Sequence, residues 1–317
     1  MRPRRLTSCT DENINQSGGG LGGVAAGQFP HMFGILASVI DGILVGAVYG
    51  LAAMGLTLIW GVMNVINLAH GAIIVLGMFL LYLVVYSLGL HAYVAVPTTI
   101  VFGFLFGIVL YWLGVHRVIG QAELMSLLST FALNMVLIGL GTAIWSTSPY
   151  NVPVDMPSVS WQGYTFTGTH ITAAIMAVVI AGLLYLLLYH TRIGKAVRAV
   201  ANNREAAELT GIPTTQVLAM AFGLGVALAG VSGTLIATLF PFTVLSGDAY
   251  QLKSFVVTVL GGLGNPAGAL LGGVALGLVE GLATPFMPVS WIPVIEFGLF
   301  ILCLIAFPRG IFSFTKA

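Results

Sequence analysis

The composition of this 317-residue chain excludes an ordinary soluble protein. Hydrophobic residues make up 58% of it and charged residues only 7%, whereas soluble domains carry roughly a quarter charged residues. A net charge of +1 without long basic segments excludes nucleic acid as an expected partner. Continuous apolar runs rich in Leu, Ala and Gly, instead of short alternating segments, exclude a membrane β-barrel. We therefore predict an all-α polytopic membrane protein.

The first 31 residues differ from the rest of the chain. They begin Met-Arg-Pro-Arg-Arg and continue through a stretch rich in Ser, Asn and Gly. A signal peptide needs an apolar core of roughly 7 to 15 residues after its basic start, and none precedes Phe33. We predict a disordered N-terminal extension over residues 1–31 and a transmembrane domain over residues 32–317.

Apolar runs predict about eight transmembrane helices, each close to the roughly 20 residues that cross a bilayer. Seven runs are continuous and cover residues 35–59, 65–88, 94–115, 124–145, 171–190, 215–240 and 292–308. A further pair between residues 252 and 284 is interrupted by dense glycines and Pro266. Irregular backbone inside a membrane must be buried in protein or line a cavity. We therefore predict broken or re-entrant segments in this last region.

Glycines at four-residue spacing predict close helix packing. Gly42, Gly46 and Gly50 repeat in this way in the first run, and Gly103 and Gly107 do so in the third. Such spacing puts small surfaces along one helix face, where a second backbone can approach closely. We interpret both sets as packing surfaces.

Three polar residues interrupt the apolar sequence after the first run. Asn64, Asn67 and His70 lie at three-residue spacing, which would make them neighbours on one side of a helix. Polar groups are costly within hydrocarbon, so they are candidates for lining a substrate pathway. The alternative is that they bind backbone groups where the helix breaks.

Charge is concentrated in one short segment between two predicted spans. Six of the 21 charged residues fall between residues 192 and 208. Within the segment 191–213, Asn202 is predicted to cap a helix of about two turns, with Glu205 reaching back in a capping box. Gly211 then supplies a left-handed C-terminal residue, and Pro213 prevents continuation. Such a helix is either a mechanical coupling element or an ordinary capped loop.

Two carboxylates lie within apolar runs near the C-terminus. Glu280 and Glu296 are costly in a membrane unless they are paired, protonated or hydrated, and Lys253 is the candidate basic partner nearby in sequence. We predict that both bear on the translocation path or its gating. An interhelical hydrogen-bonding role is the alternative.

The two halves of the chain contain a weak internal match. The segment from Asn67 to Gly77 aligns with the segment from Asn265 to Gly277 when gaps are allowed. Transporters are often built from two related halves whose broken helices enclose the substrate. The match suggests an internal two-fold repeat.

Basic residues in short loops predict the orientation, because such loops stay in the cytoplasm. With alternating spans, one side carries Arg117, Arg192, Lys195, Arg198, Arg204, Arg309 and Lys316. The other side carries Asp155 and Asp248, with Lys253 as its basic residue. The segment 191–213 and the C-terminus are therefore predicted to be cytoplasmic. This orientation puts the N-terminus outside, where its three arginines run against the rule.

Three segments resemble a known family. Glu205-Ala206-Ala207 followed by Gly211 resembles the EAA loop by which bacterial ATP-binding-cassette (ABC) permeases dock onto their ATPase subunits. Residues 48–71 resemble the N-terminal signature of LivH-type permeases of branched-chain amino acid transporters, and residues 260–273 resemble their C-terminal signature. The resemblance spans residues 33 to 314 in the right order.

This resemblance implies the permease subunit of an ATP-driven importer in a bacterial inner membrane. Its partners would be an M-type permease completing a heterodimeric pore, two ATPase subunits and an extracytoplasmic binding protein. The resemblance assigns ATPase coupling to Glu205, Ala206, Ala207 and Gly211, and we assign Asn202 to the same role as the predicted cap of that helix. Branched-chain amino acids are the implied substrates, with urea and short amides as alternatives. Ala72 and Asp41 depart from the usual family pattern, which typically has a polar residue and Asn there.

A self-sufficient carrier driven by an ion gradient is the alternative from another class, because broken helices and buried carboxylates fit it as well. The sequence has no Gly-x-x-x-x-Gly-Lys-Ser/Thr motif, so no bound cofactor is predicted and ATP belongs to the partners. It also has no catalytic or zinc-binding motif. Cys9 and Cys303 have no metal-ligand spacing, so neither an enzyme nor a metal site is expected.

Overall fold

The computed structural model describes residues 28–154, 156–161, 164–307 and 310–311. Most of the predicted N-terminal extension lies outside these ranges, as do Asp155, Arg309 and Lys316. The first helix begins at Gln28, so the last four residues assigned to the extension are already helical.

Eleven α-helices follow one another in the described ranges. They are α1 (Gln28–Met63), α2 (His70–Tyr82), α3 (Ala95–Leu110), α4 (Glu123–Trp145), α5 (Gly168–His190), α6 (Arg192–Asn202), α7 (Arg204–Leu209), α8 (Thr214–Ala237), α9 (Gly247–Gly261), α10 (Pro266–Ala283) and α11 (Ile292–Ala306). Single π-helical turns extend α2 through Ser87 and α3 through Val115. Two short antiparallel strands, β1 (Val159–Trp161) and β2 (Tyr164–Phe166), form a hairpin between α4 and α5 that was not predicted.

Seven of these helices, with their short extensions, are long and apolar enough to cross a membrane within the described ranges. They are α1 from Gly34, α2, α3, α4, α5, α8 and α10, while α11 is a shorter apolar helix. The prediction of an all-α polytopic membrane protein is confirmed. The broken pair predicted between residues 252 and 284 corresponds to α9 and α10, which are separated at residues 262–265.

The glycines of α1 pack directly against α10. Gly42 faces Gly277 and Gly281, Gly46 faces Gly273 and Gly277, and Gly50 faces Gly273. Residue numbers rise along one helix as they fall along the other, so the helices are antiparallel. A Cβ atom on Gly46 would overlap the α10 backbone. The predicted packing role of the α1 glycines is confirmed.

The glycines of α3 pack in the same way against α8. Gly103 faces Ala227 and Gly107 faces Gly223, again in antiparallel order. Helix α8 also crosses α2, where Gly230 faces Gly77. The spans α1 and α8 are largely buried, whereas α4 is mostly exposed. The two long glycine-rich helices therefore form the centre of the bundle.

The fold contains an inverted two-fold repeat. The unit α1 to α4 and the unit α8 to α11 have the same order, in which a long helix is followed by an irregular segment and a helix that starts inside the bundle. Helix α1 packs on α10 while α8 packs on α3, so the contacts are exchanged between units. Because α1 and α8 are antiparallel, the units run in opposite directions.

This repeat corrects the alignment suggested by sequence. The match set the start of α2 against the start of α10, whereas the contacts make α9 the equivalent of α2 and α10 the equivalent of α3. Glycine and alanine recur throughout these helices, so a gapped alignment can shift from one helix to the next. Only the spatial partners of each helix decide the correspondence.

Candidate functional site

Asn64, Asn67 and His70 surround the break between α1 and α2, and the prediction that they share one helix side is wrong. Asn64 ends α1 in the left-handed region, with φ of 53°, and residues 64–69 are not helical. His70 is the first residue of α2. Three-residue spacing makes neighbours only within a continuous helix.

Asn67 and His70 are completely buried and bind backbone groups. The Asn67 side-chain oxygen accepts a hydrogen bond from the Ala69 amide at 3.1 Å, and His70 Nε2 lies 3.0 Å from the Ala52 carbonyl oxygen. Ala52 lies eleven residues before the end of α1, so α2 begins roughly 16 Å inside that end. These contacts favour the interpretation that the two side chains stabilise the broken backbone. Asn64, in contrast, is exposed.

Gln251 joins the two helices that begin inside the bundle, and the sequence did not single it out. Its side-chain oxygen accepts from the Gly71 amide at the start of α2, while its side-chain nitrogen donates to the Asn67 carbonyl at 3.2 Å. Gly71 and Gly247, near the starts of α2 and α9, are in direct contact. The available signal was a lone amide in the first turns of an apolar helix.

Glu280 and Glu296 share Lys253 as a partner. The Lys253 ammonium group donates to a carboxylate oxygen of each glutamate, and all three side chains are largely buried. The Tyr49 ring of α1 faces the same ammonium group, whose nitrogen lies 4.7 Å from the ring centre. The orientation prediction placed Lys253 among the loop residues on the outer side of the membrane, but Lys253 lies within α9. The predicted pairing is confirmed, and it connects α9, α10 and α11.

Replacing Lys253 by methionine is expected to destabilise the protein by about 3 kcal/mol, because it leaves two carboxylates buried without their cation. The double substitution of Glu280 and Glu296 by glutamine in the same background should restore most of that stability. Thermal unfolding of the purified protein measures both effects. Equal stability of the wild type and Lys253→Met would contradict the ion cluster.

The charged segment between α5 and α8 forms two helices, although one was predicted. Thr191 caps α6 by accepting from the Gly194 amide at 3.1 Å. Asn203 adopts an extended backbone after α6, and its side chain caps α7 by accepting from the Ala206 amide at 2.9 Å. The prediction that Asn202 is the cap is therefore wrong, because Asn202 is the last residue of α6. With Asn203 as the cap, the third helical residue is Ala206 and not Glu205, so the predicted capping box does not form.

The predicted end of this helix is correct. Gly211 adopts φ of 82°, a left-handed conformation that glycine reaches without strain. Its amide donates to the Glu208 carbonyl at 2.9 Å, and the Ile212 amide donates to the Ala207 carbonyl at 3.1 Å. These two bonds form a Schellman motif. The Thr214 hydroxyl then donates to the Glu208 side chain, which joins the end of α7 to the first residue of α8.

Helix α7 projects from the bundle with an apolar side chain at its tip. Glu205 and Ala206 are exposed, and only Ala207 in this helix is buried, at 4% exposure. Leu209 is 90% exposed. Its place on a charged, capped helix that projects from the bundle makes Leu209 a candidate contact for a partner protein. Leu209 was not identified from sequence, where the signal is an apolar residue between Glu208 and Thr210.

Helix α7 lies at the same end of the bundle as the last described residues. Gly264, in the turn between α9 and α10, contacts Gly61 near the end of α1, and Gly310 contacts Gly262. Gly61, Gly264 and Asn202 line one cavity. We call this the α7 end of the bundle. The other end carries a contact between Asp41 of α1 and His170 of α5.

Comparison with known proteins identifies the family. Residues 38–305 match the family described as "Branched-chain amino acid transport system / permease component". The chain belongs to this family. It is therefore a multi-pass permease component of a transport system and not an enzyme, as the two signatures indicated.

Two relatives match across most of their length, and a third matches across about half of it. LivH of Escherichia coli strain K12, a high-affinity branched-chain amino acid transport system permease protein, is 28% identical over 87% of this chain and 94% of its own. BraD of Pseudomonas aeruginosa, with the same description, is 27% identical over 89% of this chain and 97% of its own. The ribose import permease protein RbsC of E. coli K12 is 26% identical over about half of each chain. No solved structure matches.

Proposed function

We propose that this chain is one permease subunit of an ATP-driven importer of branched-chain amino acids in a bacterial inner membrane. It would form half of a heterodimeric pore with an M-type permease and receive substrate from an extracytoplasmic binding protein. The names of LivH and BraD support this substrate class. The observation that carries the proposal is the projecting helix α7 with its exposed Leu209.

In this proposal two separate ATPase subunits bind ATP and contact α7 at the cytoplasmic face. This chain itself binds no cofactor. The helix is suited to transmit force because Asn203 closes one end and Gly211 the other, which resists unwinding. The bond between Thr214 and Glu208 passes a displacement of α7 directly to α8. Helix α8 contacts α1, α2 and α3, so its movement reaches the centre of the bundle. The α7 end, including the C-terminus, is cytoplasmic in this orientation.

The predicted pathway residues take two different roles in the proposal. Asn67 and His70 hold the start of α2 in place, since they are buried and bonded to backbone. Glu280 and Glu296 hold α10 and α11 against α9 through Lys253. These four side chains position the pore helices during alternating access. Asn64 is exposed at the α7 end and remains a candidate for direct contact with substrate.

The test is uptake of labelled leucine into vesicles containing this chain with its partner permease, ATPases and binding protein. We expect uptake that requires ATP and the ATPases, with stronger competition by isoleucine and valine than by urea or a short amide. Stronger competition by urea or the amide would change the substrate class. Uptake by this chain alone under an ion gradient would overturn the importer in favour of a secondary carrier.

A further inference from the structure

A cavity of about 730 Å³ opens at the side of the bundle near its α7 end. Its walls come from α1, α5, α6 and the start of α10. Along α5 it extends from Val178 to Tyr189, which is about 16 Å of helix. This length is close to the thickness of one leaflet of the hydrocarbon core, about 15 Å. Several lining residues, among them Tyr185 and Leu271, are also exposed on the outer surface of the bundle.

The cavity is apolar along most of its length and basic at one end. Leu58, Ala181 and Leu270 are typical of its walls, whereas Arg198 and Asn202 lie at the end formed by α6. The Arg198 guanidinium group stacks on the Tyr189 ring, 4.6 Å from the ring centre, which holds it at the mouth of the cavity.

Helix α6 adds further positive charge beside this mouth. Arg192, Lys195 and Arg198 recur at three-residue spacing and are exposed, while Val197 and Val200 on the opposite face are buried. Within the described ranges, no acidic side chain forms an ion pair with any of the three. An amphipathic helix with such a basic face at a membrane surface attracts anionic lipid.

The described lining of the cavity suits an anionic, largely apolar ligand better than a zwitterionic amino acid. An amino acid needs an acceptor for its ammonium group as well as a donor for its carboxylate. None of the described lining residues is acidic, so the cation at the mouth has no matching anion. A single negative charge joined to a long apolar chain satisfies both ends of the cavity.

We propose that this cavity is a binding site for an anionic phospholipid of the cytoplasmic leaflet. The phosphate group contacts Arg198 and Asn202, and one acyl chain lies along α5 between α1 and α10. The bound lipid fills the space beneath α6, directly before the coupling helix α7. The leaflet assignment rests on the orientation given in the proposed function.

The test uses the assembled transporter in nanodiscs of phosphatidylcholine that contain a minor fraction of phosphatidylglycerol with a photoactivatable acyl chain. After illumination, we expect label on peptides containing residues 178–189 and 266–271. Arg198→Gln should reduce this labelling about fivefold, which corresponds to about 1 kcal/mol for one basic residue near an anionic group. Gly182→Phe should also reduce it, because position 182 lines the cavity and an added Cβ meets no atom within 4 Å.

Two matched variants control for charge and bulk. Arg117→Gln removes an exposed basic residue that does not line the cavity, and Val179→Phe adds bulk on the neighbouring exposed position of α5. Both should keep wild-type labelling. Equal labelling by photoactivatable phosphatidylcholine, or cross-linking of this surface to the partner permease instead of lipid, would overturn the proposal. Labelling needs neither ATP nor leucine, so its failure is distinguishable from a failure of uptake.

Discussion

Replacing Gly46 by leucine is expected to prevent the chain from accumulating as a folded protein. A Cβ atom at this position would overlap the carbonyl oxygen of Gly273 and approach the backbone of Gly277. Backbone cannot move aside as a flexible side chain can, so α1 and α10 must separate along much of their length. We expect a loss of stability of more than about 3 kcal/mol, the upper range for overpacking. Size-exclusion chromatography of a fluorescent fusion measures the folded fraction.

Gly139→Leu is the matched control for this substitution. Gly139 also lies within a membrane-spanning helix, α4, but an added Cβ there meets no atom within 4 Å. The same change in helix propensity therefore occurs without a clash, and a nearly wild-type folded fraction is expected. If the Gly46 and Gly139 variants accumulate equally, the close contact between α1 and α10 is refuted.

Replacing Leu209 by aspartate is expected to abolish ATP-dependent uptake while leaving the permease folded. The side chain is 90% exposed, so its loss removes almost no contact within the chain. If Leu209 fills a pocket of the ATPase, a charge at this position should weaken binding by at least about 2 kcal/mol, or roughly thirtyfold. The affinity between the purified permease pair and the ATPase subunits measures this directly, alongside leucine uptake.

Leu263→Asp provides the comparison. Leu263 is an exposed leucine at the α7 end, in the turn between α9 and α10, and lies outside the segment 191–213. The Leu263→Asp variant should bind the ATPases nearly as the wild type does.

Gly211→Pro tests helix α7 through its backbone, because proline cannot adopt φ of 82° and lacks the amide that donates to the Glu208 carbonyl. Wild-type affinity in both the Leu209 and Gly211 variants would disprove docking through α7.

Part of this candidate site was predictable because its determinants are local. Helices commonly end at a glycine in the left-handed conformation, with a proline soon after, and the sequence Gly211-Ile212-Pro213 has this pattern. Lys253 was predictable as a partner because few cations exist near two costly carboxylates. The four-residue spacing of the α1 glycines predicted the close approach of a second helix, which is α10. In each case the physical constraint acts on a few neighbouring residues.

Other features were mispredicted where two adjacent choices have similar local energy. Asn202 and Asn203 are equally good caps, and the length of α6, set by packing of Val197 and Val200 against the bundle, selects Asn203. Asn67 and His70 have helical spacing, yet the left-handed backbone at Asn64 ends the helix before them. Packing of α6 decided the first outcome, and the local turn at Asn64 together with the contacts of Asn67 and His70 across the bundle decided the second.

The sequence by itself determined the membrane class, the family, the approximate spans and the position of the charged segment 191–213. These follow from hydropathy, which reports transfer into lipid residue by residue, and from short motifs whose backbone needs are local. Only the tertiary structure decided that α2 corresponds to α9 and that these two helices begin in contact with each other inside the bundle. It also decided that the Leu209 side chain is exposed on the surface of the protein. The physical reason is that apolar residues have the same affinity for lipid as for a neighbouring helix, so hydropathy cannot distinguish their partners.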